Sequence, residues 1–81
     1  MDTKERIRTF ILEDLRWQGS RDDLSDDLLL IDAHVLDSLD MLRLVALIEN
    51  ELGVEVRDED LDSTNFGTIE RIAAFVDSRR A

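Results

Sequence analysis

The chain has 81 residues, a net charge of −10 and no cysteine. This length suits one small domain over residues 1–81, of a size that buries only about 60% of its unfolded surface. The missing cysteines exclude disulfides and protein thiolate chemistry. A transmembrane helix and a secretory signal are not expected, because the chain has no apolar run of the required length and its N-terminus alternates charges. A cytoplasmic protein is therefore expected.

The acidic residues are concentrated in the middle of the chain. Residues 20–36 carry a net charge of −4 and residues 37–62 a net charge of −7, whereas the two ends are close to neutral. A field of this sign repels nucleic acid and anionic membranes and favours basic patches on other proteins. We expect protein partners, no nucleic acid and no membrane, and a chain that is itself a monomer.

The first predicted helix runs from Lys4 to Trp17. Apolar residues recur along it at i, i+3, i+4 and i+8, which places them on one face. They are Ile7, Phe10, Ile11 and Leu15. Thr3 is the expected N-cap, and Gly19 is the expected stop.

Residues 18–37 lack a sustained period and are rich in Asp and Ser, which predicts a long loop. A loop of this length in a small domain is usually functional. The apolar run Leu28–Ile31, with Val35 and Leu36, predicts that the loop is pinned to the core. His34, the only histidine, is interpreted as a surface residue of this loop.

The second predicted helix runs from Ser38 to Leu52 and ends at Gly53, the position that glycine takes after helix ends. Its inward stripe is predicted from the apolar spacing. The stripe comprises Leu42, Val45, Ile48 and Leu52, with Leu44 alongside. Residues 53–56 are expected to be a short extended link.

The last part of the chain predicts a single helical turn over Asp58–Leu61 and a final helix after Gly67, with Thr68 as its N-cap. The apolar positions of the final helix match the i, i+3, i+4, i+7 template. They are Ile69, Ile72, Ala73 and Val76. The predicted fold is all-α: a four-helix bundle with three main helices, one short helix and a long loop between the first two.

Ser38 stands where the acidic loop gives way to the second helix, between Asp37 and Leu39. Asp or Ser before an apolar periodic run is the usual N-cap signature, so a plain capping role is one interpretation. The other is that the hydroxyl carries a phosphate ester, because the unpaired N–H groups and the dipole at a helix N-terminus favour an attached phosphate. Both can hold, with Asp37 helping to cap while the serine oxygen is modified.

Two other kinds of site are disfavoured. A hydrolase built from His34, Asp37 and Ser38 lacks a Gly-x-Ser-x-Gly elbow, and such close sequence neighbours do not easily form the nucleophile–base–orienter geometry. The acidic run Asp58–Asp62 fits no EF-hand register, because the required glycine and glutamate are missing. Catalytic residues and metal ligands are therefore not expected.

The sequence resembles the acyl and peptidyl carrier proteins from roughly Ile7 to Val76. The matching elements are Asp37-Ser38-Leu39 with the helix after it, Glu51-Leu52-Gly53-Val54-Glu55-Val56, Asn65-Phe66-Gly67-Thr68-Ile69 and Ala74-Phe75-Val76. The resemblance implies that Ser38 carries a 4′-phosphopantetheine arm, with Asp37 as the flanking motif residue. A phosphopantetheinyl transferase would install the arm from coenzyme A, and its thiol would hold cargo as a thioester. The reactive sulfur would then belong to the prosthetic group, in agreement with the missing cysteine, and the protein would not be an enzyme.

Departures from the family pattern bear on the cargo. Arg43 lies five residues after the serine, where fatty-acid carriers tend to be acidic, and the run from Met41 to Ala46 looks more like peptidyl carriers. Peptidyl carriers, however, often have His before the serine, where this chain has Asp37. The resemblance implies a discrete carrier of acyl or aminoacyl and peptidyl groups for a polyketide, nonribosomal peptide or related pathway. Its partners would include a loading enzyme, either an adenylation enzyme or an acyl transferase, and downstream biosynthetic enzymes.

The exposed face of the second helix is the docking surface that the resemblance implies. The candidate residues are Leu39, Asp40, Met41, Arg43 and Glu49. A solvated helix face is the alternative for the charged residues, and core packing is the alternative for the two apolar ones. The rival function from another class is an unmodified acidic helical module that binds proteins and uses Ser38 only as a cap.

Overall fold

The computed structural model describes residues 2–15, 17 and 19–80. This part of the chain contains four α-helices, two 3-10 turns and no strand, which confirms the predicted all-α class. The α-helices are α1 (Thr3–Glu13), α2 (Ser38–Glu51), α3 (Ser63–Phe66) and α4 (Ile69–Arg80), and the 3-10 turns are Arg21–Asp23 and Asp58–Asp60. None of these helices is long and apolar enough to cross a membrane.

The start of α1 is capped by Asp2, so the prediction of Thr3 as N-cap is wrong. The Asp2 carboxylate accepts a hydrogen bond from the backbone N–H of Glu5 at 2.9 Å. Thr3 is instead the first helical residue, and its hydroxyl donates to the Asp77 carboxylate at 2.8 Å. The threonine therefore ties α1 to α4 and does not cap its own helix.

The predicted extension of α1 to Trp17, with a stop at Gly19, is also wrong, because the helix ends at Glu13. Residues 16 and 18 lie outside the described part of the chain. Glu13 and the aspartate after it put negative charge at the end where the helix dipole disfavours it, and the last turn has no basic residue to offset them. Trp17 lies in the following segment and packs, half-buried, against the core.

The long loop between α1 and α2 is pinned to the core, as predicted. Leu24, Leu30 and Leu36 are almost fully buried. The apolar run is split, however, because Leu29 is 54% exposed and Ile31 is 39% exposed. The loop therefore shares its apolar side chains between the core and the surface.

Backbone and ionic contacts hold the middle of this loop on both sides. The N–H of Leu30 donates to the carbonyl of Gly67 at 2.9 Å, and the N–H of Glu70 donates to the carbonyl of Asp26 at 3.0 Å. The Asp26 carboxylate also pairs with the guanidinium of Arg8 on α1. The loop is thus fastened to α1 and to the start of α4, which fixes where its last residues deliver the chain to α2.

The inward face of α2 differs from the predicted stripe. Leu44 and Ile48 are fully buried, and Met41 and Val45 are partly buried, but Leu42 is 62% exposed. Met41, Leu44 and Ile48 follow an i, i+3, i+7 spacing of their own, so the periodicity is satisfied on a neighbouring face. The placement of Leu42 in the core is therefore wrong.

The end of α2 agrees with the prediction. Leu52 is the C-cap, and Gly53 follows with a φ of 70°. This left-handed conformation is the one that glycine adopts at little steric cost after a helix. The N–H of Val54 then returns to the carbonyl of Ile48 at 3.2 Å, and Val54 is buried.

The predicted turn after the extended link is present as the 3-10 turn Asp58–Asp60, but the short α-helix of the fold is a different element. That helix is α3, and Asp62 caps it by accepting the N–H of Asn65 at 3.0 Å. Phe66, its last residue, is fully buried and packs on the ring of Phe75 with centroids 5.4 Å apart. This aromatic contact and a hydrogen bond from the Arg71 guanidinium to the carbonyl of Ser63 at 3.3 Å attach α3 to α4.

The final helix confirms its predicted cap and core face. The Thr68 hydroxyl accepts the backbone N–H of Arg71 at 3.0 Å, which is the N-cap bond. All four residues of the predicted stripe are buried: Ile69, Ile72, Ala73 and Val76.

Asp60, in the second 3-10 turn, is a buried carboxylate with both oxygens engaged. Its Oδ2 accepts the backbone N–H of Arg57 at 3.0 Å, and its Oδ1 accepts an N–H of Arg79 from α4 at 2.8 Å. The bond from the Arg57 backbone lowers the pKa of the Asp60 carboxyl below its ordinary value; burial opposes this shift, and the Arg79 guanidinium adds to it. The contacts made in the folded state therefore favour the ionised form of Asp60.

Acid should weaken this contribution. Because the pKa of Asp60 is lower in the folded state, its stabilising effect is complete above the ordinary carboxyl pKa and is lost as the pH falls through the folded-state value. We expect Asp60→Asn to lower the melting temperature at neutral pH. The difference in melting temperature between this variant and the protein without substitutions should shrink in acid. Thermal unfolding followed by circular dichroism from neutral pH into acid measures this. A gap that stays constant with pH would contradict it.

Candidate functional site

At the N-terminus of α2 one residue caps the helix, and the next one is an exposed serine. Asp37 is extended, with φ −101° and ψ −172°, and its carboxylate accepts the backbone N–H of Asp40 at 2.8 Å. Ser38 is the first helical residue and is exposed. Asp37 therefore supplies the cap, and the Ser38 hydroxyl has no hydrogen bond to any residue that the structure describes.

The surroundings of this hydroxyl suit a phosphoester. The first N–H groups of a helix have no partner within the helix, and the positive end of its dipole lies there. Asp37 satisfies only the N–H of Asp40. A phosphate on the serine oxygen would meet the remaining donors of the first turn without displacing the cap.

An apolar groove opens beside the serine. Its volume is about 510 Å³. It is lined by Ile31, Leu36, Asp37, Ser38, Met41, Leu42 and Leu61. Five of these seven side chains are apolar, so a group attached at the serine has an apolar surface within immediate reach.

The exposed apolar surface of the molecule lies around the same helix start. Four large hydrophobic residues of the described chain are more than a third exposed: Leu29, Ile31, Leu39 and Leu42. They occupy the end of the loop and the first two turns of α2, on either side of Ser38 in sequence. Exposed apolar residues that occur together mark interaction surfaces more often than residues scattered singly.

The two apolar docking candidates have different environments. Leu39 is 58% exposed. Met41 is partly buried, packs against the core and also lines the groove. Sequence reasoning missed Leu42 and Leu61 as residues near the serine. The i, i+3, i+7 spacing of Met41, Leu44 and Ile48, which leaves Leu42 outside, was the available signal; nothing local indicates Leu61.

The three charged candidates also differ from one another. The side chain of Glu49 accepts the backbone N–H of Val56 at 3.1 Å, so it helps to hold the link after α2. Asp40 is partly buried in the first turn. Arg43 is exposed and pairs with no carboxylate within the part of the chain that the structure describes.

His34 does not meet Ser38 in the way a hydrolase would need. It is exposed, has a φ of 59°, and lines a separate groove with Leu15 and Trp17. Asp37 is occupied with the helix cap. Within the described ranges no group of three acidic or histidine side chains is placed to hold a metal ion.

Removing the cap should destabilise α2 without removing the serine. We expect Asp37→Ala to lower the free energy of unfolding by about 1 kcal/mol, because the N–H of Asp40 loses its acceptor. Asp37→Asn keeps an acceptor of similar capping strength and should lose much less. Urea unfolding of the three proteins measures the difference, and equal losses in both variants would contradict the capping role.

Comparisons with known proteins show what the whole chain is similar to. Residues 5–76 match the family model described as a phosphopantetheine attachment site. The chain is 31% identical over 80 residues to the acyl carrier protein of Zymomonas mobilis subsp. mobilis, covering 99% of this chain and 97% of that protein. It also superposes on a chain of a solved structure described as the crystal structure of an FAD-dependent dehydrogenase. That match has a TM-score of 0.76 and 31% identity, and it covers 86% of this chain and 97% of the other.

Proposed function

The chain belongs to the carrier-protein family defined by the phosphopantetheine attachment site, and from that premise we propose that Ser38 is its attachment serine. Family membership makes the protein a carrier and not an enzyme, with 4′-phosphopantetheine held covalently on a serine. The observation that supports Ser38 is the separation of roles at the start of α2. Asp37 caps the helix, and the exposed hydroxyl of Ser38 has no hydrogen-bond partner among the described residues.

The residues present fit the prosthetic group. When bound, phosphopantetheine supplies a long arm whose terminal thiol holds the cargo as a thioester. The chain contributes an exposed serine oxygen, the free donors of the first helical turn and an apolar groove beside them. Since the sequence has no cysteine, no side-chain thiol competes for the cargo.

We propose that the carrier serves a polyketide, nonribosomal peptide or related pathway and presents acyl or aminoacyl groups to separate enzymes in the cytoplasm. Leu39 and Leu42 expose apolar surface on α2, and Arg43 lies beside them as an exposed cation. With Asp40, Met41 and Glu49, these residues form the proposed docking face. Partners that fit it have an apolar contact surface.

We also propose a flavin enzyme as one class of partner. The solved structure whose chain superposes on this one is described as an FAD-dependent dehydrogenase. The two superposed chains are similar in length, because the match covers most of each. A flavin-dependent dehydrogenase that acts on the carried acyl or aminoacyl group would move two electrons and two protons from that group to the flavin.

Incubation with coenzyme A and a broad-specificity phosphopantetheinyl transferase tests the attachment. Intact-protein mass spectrometry should show one added phosphopantetheine, and fragmentation of the modified peptide should place it on Ser38. Several such transferases without any mass shift would instead favour the unmodified protein-binding module. Loading assays with adenylation enzymes and acyl transferases on the modified protein then separate aminoacyl from acyl cargo.

A further inference from the structure

Arg79, near the end of α4, is connected to the groove beside Ser38 through one buried carboxylate. It donates to Oδ1 of Asp60 at 2.8 Å. The Asp60 side chain is 8% exposed, whereas the Arg79 side chain is 41% exposed. The second oxygen of Asp60 accepts the backbone N–H of Arg57 at 3.0 Å. The carboxylate thus joins two segments that are distant in sequence.

The arginine is itself anchored on the core. Its guanidinium carbon lies 4.8 Å from the centroid of the Phe75 ring, a cation–π distance. Phe75 is 7% exposed and packs on Phe66. The position of the guanidinium is therefore set by the α3–α4 packing, and Asp60 is held against a fixed point.

Leu61 follows Asp60 directly and depends on this turn for its position. Its backbone N–H donates to the carbonyl of Asp58 at 3.1 Å. The carbonyl of Asp60 accepts the side-chain amide of Asn65 at 3.1 Å and the N–H of Asp62 at 3.0 Å. The turn is a compact unit, so a displacement of Asp60 carries Leu61 with it.

Leu61 differs from the other groove residues in its origin. The remaining six lining residues lie between positions 31 and 42, at the end of the loop and the start of α2. Leu61 alone among the seven is contributed by the second half of the chain. It is partly buried and packs against the core. One wall of the groove is consequently contributed by a turn that is hydrogen-bonded to α3 and α4.

We propose that the Asp60–Arg79 ion pair fixes Leu61 as a wall of the groove and thereby limits how far an apolar cargo carried at Ser38 enters it. Arg79 is a positioning residue, because it acts on the cargo through Asp60 and Leu61 and touches neither the serine nor the cargo. The proposal rests on Ser38 as the attachment site. Its alternative is that the ion pair only stabilises the fold.

The effect of cargo length distinguishes these two roles. A phosphopantetheinyl transferase supplied with octanoyl-CoA or acetyl-CoA can load the protein with a long or a short acyl arm, and hydroxylamine then cleaves the accessible thioester. Loss of the ion pair frees Leu61 and should let the octanoyl chain enter the groove more deeply. The acetyl group has too little apolar surface to follow it.

The comparison uses Arg79→Gln and three companion variants at a temperature where circular dichroism shows all of them folded. In Arg79→Gln, octanoyl cleavage should slow by at least about fivefold relative to acetyl cleavage, the lower end of usual couplings between sites. Arg79→Lys keeps the charge, and its ratio of octanoyl to acetyl cleavage should equal that of the protein without substitutions. Leu61→Ala removes the wall itself and should act in the same direction as Arg79→Gln.

Arg6→Gln is the matched control. It breaks the ion pair between Arg6 and Glu51, which joins α1 to α2 and includes no residue of the groove. The ratio of octanoyl to acetyl cleavage should be unchanged in this variant. Equal effects of Arg79→Gln on both cargoes, or the same change in Arg6→Gln, would overturn the positioning role. Absence of any acyl adduct at Ser38 would instead overturn the proposed function, so the two failures are distinguishable.

Discussion

Ser38→Ala is expected to abolish phosphopantetheinylation completely, so that the mass of the protein stays unchanged after incubation with coenzyme A and transferase. The substitution removes the oxygen that would form the phosphoester. It should leave the fold intact, because Asp37 and not Ser38 caps α2 and alanine is a strong helix former. Circular dichroism of the variant separates a lost attachment oxygen from a lost structure.

Ser63 provides a close internal control. It is the exposed first residue of α3, and the aspartate before it, Asp62, caps the helix by accepting the N–H of Asn65 at 3.0 Å. This arrangement repeats that of Asp37 and Ser38, so the two serines have the same local chemistry.

The surroundings of the two serines differ. α3 has only four residues, and Ser63 does not line the apolar groove. We expect Ser63→Ala to take up phosphopantetheine as fully as the protein without substitutions does. An adduct that persists in Ser38→Ala and maps to Ser63 would show that the transferase selects a different helix start.

Local chemistry let the sequence predict the end of α2 and the cap of α4, although it misplaced both ends of α1. Gly53 ends α2 in a left-handed conformation, and Thr68 caps α4 with its hydroxyl, both as predicted. Each outcome depends on one side chain and the backbone within a few residues of it. The same is true of the start of α2, where Asp37 and Ser38 were correctly placed at the helix boundary.

Where packing decides the structure, the sequence was ambiguous. α2 is apolar on most sides, so the spacing of its residues allowed more than one inward face, and contacts with the other elements selected Leu44 over Leu42. α3 is too short to show a period at all. Leu61 lines the groove from the second half of the chain, next to a turn that is fastened to α4 by a contact between residues 19 positions apart.

The two leucines of α2 predict the largest contrast in stability. Leu44 has no exposed surface, whereas Leu42 is 62% exposed. Leu44→Ala should lower the free energy of unfolding by about 2–5 kcal/mol, because it removes buried contacts and leaves a cavity. This is a large share of the roughly 5–15 kcal/mol that holds an ordinary domain together, and this chain is small. The variant is expected to be partly unfolded at modest denaturant concentrations.

Leu42→Ala is the matched substitution on the other side of the same helix. It makes the same chemical change two residues earlier, and its effect on the free energy of unfolding should stay within about 0.5 kcal/mol, as for most surface positions. Urea unfolding of both variants beside the unmodified protein gives the two values directly. Similar losses in both would mean that Leu42 is buried in solution and that the inward face first predicted from the spacing is the true one. A much smaller loss in Leu42→Ala than in Leu44→Ala, as expected, would show that the apolar surface of Leu42 is not needed to hold the bundle together. Leu42 is then free to contact cargo or a partner beside Ser38.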